Sequence, residues 1–304
     1  MEFARQGPSP GALHWVERAL GPGFRVAAWR RMTGGVTSAV HRLTIERGEG
    51  TRLFFVLRQY EHAVPHFMNL VEREARILRD VNAAGLAAPS VVAYSSRGED
   101  AGGRPSVLMS RLRGHLCLAP ADPDDWVRQM AVTAAAIHDA PVAAPAFERW
   151  IDPEGLTVPA SAVRPDVWRA AIEMLRSPHE QRTTRFIHRD FQHFNLLWAR
   201  GRLTGIVDWS VASLGPPEID VGHCRLNLAV LCSADWAERF RLAYEAETGR
   251  RTDPWWDLQE LAAYDDTWPR FIPVQVGGRV PVDAGGMTAR VEELLESALG
   301  RLSG

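Results

Sequence analysis

Apolar and polar positions alternate over short runs in the first third of the chain and recur at helical spacing over much of the rest. Residues 10–21, P-G-A-L-H-W-V-E-R-A-L-G, space their apolar side chains for one helical face and stop at glycine, which predicts a short helix. Three runs follow at 24–32, 39–46 and 52–60, rich in β-branched and aromatic residues and broken by Gly34-Gly35 and by G-E-G at 48–50. They predict an antiparallel meander. A helix is predicted over about 66–84, where Phe67, Val71, Leu78 and Val81 form one stripe. Runs from Pro89 to Tyr94 and from Pro105 to Leu112 predict two more strands. Beyond about 122 the pattern turns helical, with amphipathic stretches at 123–139, 165–177, 233–248 and 287–302. Leu196-Leu197-Trp198 and Leu203 to Val207, joined by A-R-G-R, read as a β-hairpin within that helical region.

These elements predict an α+β fold of two lobes sharing a cleft. A small lobe at 1–110 carries a five-stranded antiparallel sheet and one inserted helix, and a larger, mainly helical lobe takes 111–304. The segment L-M-S-R-L-R-G, 108–114, joins them.

Bulk composition narrows the function by exclusion. The chain has 304 residues, 46% hydrophobic and 24% charged, which is ordinary for a globular protein. A formal net charge of −2 gives no electrostatic case for nucleic acid or an anionic membrane. No apolar run approaches the ~18–20 residues that span a bilayer, and M-E-F-A-R-Q-G-P-S-P lacks a signal-peptide core, so a cytoplasmic protein, monomer or homodimer, is expected. Cys117, Cys224 and Cys232 form no C-x-x-C pair, which argues against a disulfide framework or a zinc site. All 35 basic residues are arginine, so any side-chain cation must come from arginine or histidine.

The chemistry concentrates in F-I-H-R-D-F-Q-H-F-N-L-L-W-A-R-G-R-L-T-G-I-V-D-W-S, residues 186–210. An apolar pair leads to His188, Arg189 and Asp190, Asn195 follows five residues after Asp190, and the hairpin is expected to bring Asp208 back beside Asn195. A carboxylate with an amide oxygen suits magnesium, which keeps several waters and takes few protein ligands. A second carboxylate, Asp190, is left to accept a proton from a hydroxyl, the division of labour that phosphoryl transfer needs. Singly, each residue could merely cap a hairpin; their order and spacing together favour the chemical reading.

H-R-D-x-x-x-x-N, with an Asp thirteen residues after the Asn, resembles the catalytic and metal-binding segments of the protein-kinase-like superfamily. V-D-W at Asp208 and G-P-P-E-I-D-V at 215–221 are more similar to the aminoglycoside phosphotransferase family. That resemblance implies Asp190 as catalytic base, Asn195 and Asp208 as magnesium ligands, and His188 and Asp220 as supports of the catalytic loop. It implies a nucleotide site using Gly34, Gly35, Thr37 and Ser38 of the T-G-G-V-T-S turn, Met109 and Arg111 of the lobe junction, and Arg58 where kinases carry a lysine. Glu74 lies on the apolar stripe between Val71 and Leu78, and a charge there needs a counter-charge, so an Arg58–Glu74 ion pair is expected. His138 is read as structural, and Arg189 stands where the family more often has glycine, its role open.

The resemblance further implies ATP or GTP with Mg2+ as cofactors and a small hydroxylated molecule as partner. Residues 211–304 hold 15 acidic against 9 basic residues, which suits a cationic acceptor such as an aminoglycoside-like antibiotic. Asp257, Asp265 and Asp266, set among tryptophans, are the candidate acceptor carboxylates. A kinase for choline, an amino alcohol or a sugar, and a catalytically weak nucleotide-binding regulator, are the alternatives.

Overall fold

A computed structural model describes residues 7–32, 38–48, 50–61, 65–180 and 183–303, with 65–68 described by backbone alone. The chain divides into two compact units. The first comprises Met1–Arg113 and Gly205–Val211, the second Gly114–Thr204 and Ala212–Gly304. The expected single boundary at 110 is therefore replaced by an interleaved division. Segment 205–211 belongs with the sheet for a local reason: Ile206 N donates to Ala87 O at 2.8 Å, and Arg73 Nη2 donates to Val211 O at 2.9 Å.

In the first unit, strands β1 (Phe24–Arg31), β2 (Ser38–Arg47), β3 (Thr51–Tyr60), β4 (Val91–Ser95) and β5 (Ser106–Ser110) form one antiparallel sheet in the order β1-β2-β3-β5-β4. Helix α1 (Pro10–Leu20) starts at Ser9, whose Oγ accepts from Ala12 N at 3.2 Å. Its Ala12, Trp15 and Val16 pack with Leu43, Ile45, Leu57 and Leu108 of the sheet in a fully buried cluster. Helix α2 (Pro65–Ala83) buries Val71, Glu74, Ala75, Leu78 and Val81 and leaves Glu72 exposed, as the stripe requires.

The second unit is mainly helical: α3 (Pro123–His138), α4 (Pro165–Arg176), α5 (Glu218–Leu231), α6 (Ala234–Thr248), α7 (Pro254–Leu261), α8 (Trp268–Val276) and α9 (Met287–Ser303). Strands β6 (Arg185–Ile187) and β9 (Ser213–Gly215) pair antiparallel. Strands β7 (Leu196–Ala199) and β8 (Arg202–Ile206) form the expected hairpin. Its turn holds Arg200 at φ 52° and Gly201 at φ 72°, the left-handed pair that matches strand twist. Helices α5 and α7 were not expected from the sequence. From Ile219 to Val230 every α5 residue is buried, so no polar face marks its period. No helix among the described residues is long and apolar enough to cross a membrane.

Candidate active site

In the first unit the site is built around Arg58, near the end of β3 and only 6% exposed. A buried guanidinium needs a paired counter-charge. Its Nε donates to Ser38 Oγ at 2.9 Å, and its Nη1 to Glu74 Oε1 at 2.9 Å and to Asp208 Oδ1 at 2.7 Å. Among the described residues nothing accepts from Nη2. Burial alone would lower the Arg58 pKa, but the charges of Asp208 and Glu74 reverse this and raise it well above the usual value. Burial pushes the Glu74 carboxyl up, against the pull of Arg58, and Tyr60 Oη caps Glu74 Oε2 at 3.4 Å.

Asp208 lies two residues beyond β8 with φ 67°, a left-handed conformation an aspartate tolerates better than most residues. Trp209 is fully buried and donates Nε1–H to Ile206 O at 3.0 Å, which anchors the turn. Ser210 Oγ donates to Asp208 Oδ1 at 3.1 Å. Among the described residues no hydrogen bond reaches Asp208 Oδ2, which leaves one hard oxygen available to a cation. Met109 sits inside the sheet, paired with Val56 and Val91, and Arg111 lies one residue past β5 with its guanidinium 6.0 Å from the Phe54 ring. Gly34, Gly35 and Thr37 lie outside the described residues.

In the second unit β6 delivers the chain into the candidate catalytic segment. Asp220, fully buried on α5, accepts from the backbone N–H of His188 at Oδ2 and of Arg189 at Oδ1, both at 2.7 Å. His138 braces the same carboxylate at 3.2 Å and bonds Tyr244 Oη at 2.7 Å. Burial alone would raise the Asp220 pKa; the His138 hydrogen bond and charge bring it below the usual value. This clamp holds Arg189 at φ 72°, and the chain then turns to present Asp190.

Asp190 is held from three directions. Gln192 Nε2 donates to its Oδ1 at 2.6 Å, His223 Nε2 bonds the same oxygen at 2.9 Å, and Asn195 Nδ2 donates to Oδ2 at 2.8 Å. Burial alone would raise its pKa, but His223, His188 and Asn195 lower it below the usual carboxylate value. It is therefore ionised at neutral pH, and Oδ2 keeps a lone pair for a hydroxyl. Asn195 Nδ2 also donates to Asp190 O at 2.8 Å, which fixes the amide so that its Oδ1 faces elsewhere.

Two residues here carried no signal in the catalytic segment itself. His223 lies one turn after Asp220 on α5, and its Nδ1 is 3.6 Å from Glu260 Oε2 of α7. Burial alone would lower the His223 pKa; Asp190 and Glu260 instead raise it to about 9, so it carries a charge. Glu260 also accepts from Arg189 Nη1 at 3.1 Å. A signal for Glu260 existed in W-W-D-L-Q-E-L, where acidic residues sit among apolar ones and so require buried partners.

That rule corrects one of the three candidate acceptor carboxylates. Asp257 is 1% exposed and is gripped at Oδ2 by Arg225 and Arg301, so it presents no free charge to an acceptor. Asp265 and Asp266 are exposed but serve backbone: Asp265 Oδ1 accepts from Thr267 N at 2.8 Å, and Asp266 accepts from Ala160 N at 2.8 Å and Ser161 N at 3.0 Å. A cavity of about 400 Å³ in the same unit, lined by His179, Glu218, Arg251, Asp253 and Trp256 among others, includes none of the three.

Among the described residues no cluster of three His, Cys, Asp or Glu side chains could hold a metal. Asp208 Oδ2 in the first unit and Asn195 Oδ1 in the second are each a hard oxygen of the kind magnesium accepts alongside water and phosphate.

The profile of the phosphotransferase enzyme family matches residues 29–264. No curated protein sequence matches the chain. Among solved structures, a protein assigned as an aminoglycoside phosphotransferase from Ralstonia eutropha JMP134 superposes with TM-score 0.59 at 18% identity, covering 98% of this chain and 99% of that one. Aminoglycoside phosphotransferase APH(4)-Ia, as a thermostable mutant in ternary complex with ADP and hygromycin B, gives 0.56 at 15% identity, covering 92% and 96%. Amicoumacin kinase hAmiN, in complex with AMP-PNP, Ca2+ and Ami, gives 0.53 at 12% identity, covering 92% of each. These likenesses establish a kinase-like fold over nearly the whole chain. Through the profile spanning residues 29–264, the chain belongs to the phosphotransferase enzyme family, as an enzyme that transfers a phosphoryl group to a hydroxyl of a small molecule.

Proposed function

We propose that the chain transfers the γ-phosphoryl group of magnesium-bound ATP, or GTP, to a hydroxyl of an aminoglycoside-like or other antibiotic. The observation that carries this reading is the state of Asp190: ionised, fixed by Gln192, Asn195 and His223, and with a lone pair left on Oδ2. Such a carboxylate orients an acceptor hydroxyl and takes its proton as the oxygen–phosphorus bond forms. Asn195 Oδ1 and Asp208 Oδ2 are the proposed oxygen ligands of magnesium. When bound, the metal neutralises phosphate charge.

Arg58 would meet phosphate oxygens through its remaining Nη2–H edge, with Ser38 and Glu74 holding the fork in place. Gly34, Gly35 and Thr37 are proposed to cover the phosphates, and Met109 and Arg111 to border the base. Support for ATP and for antibiotic acceptors comes from neighbours captured with ADP and hygromycin B or with AMP-PNP and Ami.

The pairing of Asp257 with Arg225 and Arg301, which removes it as a free carboxylate, favours a second reading, a kinase for a sugar or another small metabolite alcohol. A panel of hydroxylated antibiotics and metabolites, scored for MgATP-dependent transfer, separates the two. In either case Asp190→Asn should lower kcat at least about a thousandfold while nucleotide still binds, and Asp208→Ala should abolish metal-dependent turnover. Turnover that survives Asp190→Asn would refute the assignment.

A further inference from the structure

One aromatic side chain beside Asp190 has no role in the machinery described above. Trp150 is 54% exposed, although it sits on a segment that is firmly tied down. Phe147 N donates to Leu214 O and Leu214 N to Pro145 O, both at 2.8 Å, which stitches residues 145–147 to β9. The neighbouring Arg149 lies 5.0 and 5.2 Å from the rings of Trp255 and Trp256. The exposure of Trp150 therefore belongs to an ordered surface.

One face of the indole is covered. The Arg189 guanidinium carbon lies 3.7 Å from the Trp150 ring centroid and 4.8 Å from that of Phe147. Arg189 is 2% exposed, and among the described residues nothing accepts from its Nε or Nη2, so stacking on the rings is the main compensation for its buried charge besides Glu260. The Trp150 and His223 rings meet in a T shape with centroids 6.2 Å apart and planes at 85°, and His223 Nε2 bonds Asp190 Oδ1 at 2.9 Å. The indole is thus one ring removed from the catalytic carboxylate.

We propose that Trp150, backed by Arg189, is the platform for the acceptor, and that it takes the C–H face of an uncharged sugar ring carrying the reacting hydroxyl. Two observations select an uncharged ring. Asp190 and Glu260 are already met by cations, His223 lying against both and Arg189 against Glu260, so neither carboxylate here is left to draw an ammonium. The π face that attracts cations is already engaged by Arg189, so an ammonium on the open face would be repelled through the ring. The open face instead offers a flat apolar surface to ring C–H groups. Any ammonium groups of a larger acceptor then lie away from the phosphorylated ring. This inference rests on the phosphotransferase reading and narrows its acceptor.

The test uses the full chain with MgATP and two probes, phenyl β-D-glucopyranoside, which is uncharged, and glucosamine, which carries an ammonium on the ring. The wild-type protein should show kcat/KM at least tenfold higher for the glucoside. Trp150→Ala should raise the glucoside KM tenfold or more with kcat within threefold, Trp150→Phe should restore most of the affinity, and an unchanged melting temperature would show that the fold is intact. Arg189→Gly should narrow the preference by raising kcat/KM for glucosamine. A glucoside KM unmoved by Trp150→Ala, a wild-type preference for glucosamine, or failure to phosphorylate the glucoside would overturn the proposal. The last outcome, combined with ATP hydrolysis that Asp190→Asn abolishes, overturns the platform alone. Absence of any hydrolysis overturns the phosphotransferase reading with it.

Discussion

Arg58 shows how far one side chain's geometry can be argued. Its planar fork holds Ser38 with Nε while Nη1 spans Glu74 and Asp208, an arrangement a single ammonium cannot reproduce. Arg58→Lys should therefore raise the nucleotide KM by about tenfold in steady-state kinetics, although charge is conserved. His223 makes a different prediction. Its folded pKa of about 9 exceeds the ordinary 6.5, so the clamp on Asp190 and Glu260 contributes its full stability below about pH 6.5 and loses it as pH rises through 9. The shift corresponds to roughly 3 kcal/mol. Urea unfolding from pH 6 to 9.5 should show that loss in the wild type and a flatter profile in His223→Gln; identical profiles would discount the clamp.

At the scale of elements, close approach of α5 and α7 sets the surroundings of Asp190. A Cβ built on Gly222 would lie 2.9 Å from Glu260 Cβ and 3.3 Å from Asp257 Cα, so only glycine lets the two helices meet. Gly222→Ala should cost about 1–3 kcal/mol, read as a melting-temperature drop of several degrees, and should disturb the partners of Glu260. Strand β2 and helix α2 were legible in the sequence because each has two unlike faces, and Glu74 stood out as a charge on an apolar stripe. Helices α5 and α7 were not, because a helix buried on all sides shows no contrast. The same blindness made Asp257 look like a surface carboxylate. His223 and Asp190 are 33 residues apart, and no local pattern reports that contact.

For the whole molecule, the absence of lysine among 35 basic residues has a direct test. An amine-directed acylating reagent should add to the N-terminal amine only, seen as one adduct by mass spectrometry, and leave turnover intact. Loss of activity with a single adduct would give the N-terminus a role that the proposed arginine contacts to phosphate do not foresee. The division of the chain has a consequence for inheritance. The unit that holds Arg58 and Glu74 recovers Asp208 only after an excursion of some ninety residues through the other unit. A single genetic crossover within 114–204 would take the guanidinium from one parent and its carboxylate partner from the other. Recombinants of that kind keep the ion pair only where both parents agree on it, so Arg58 and Asp208 are inherited as two linked pieces.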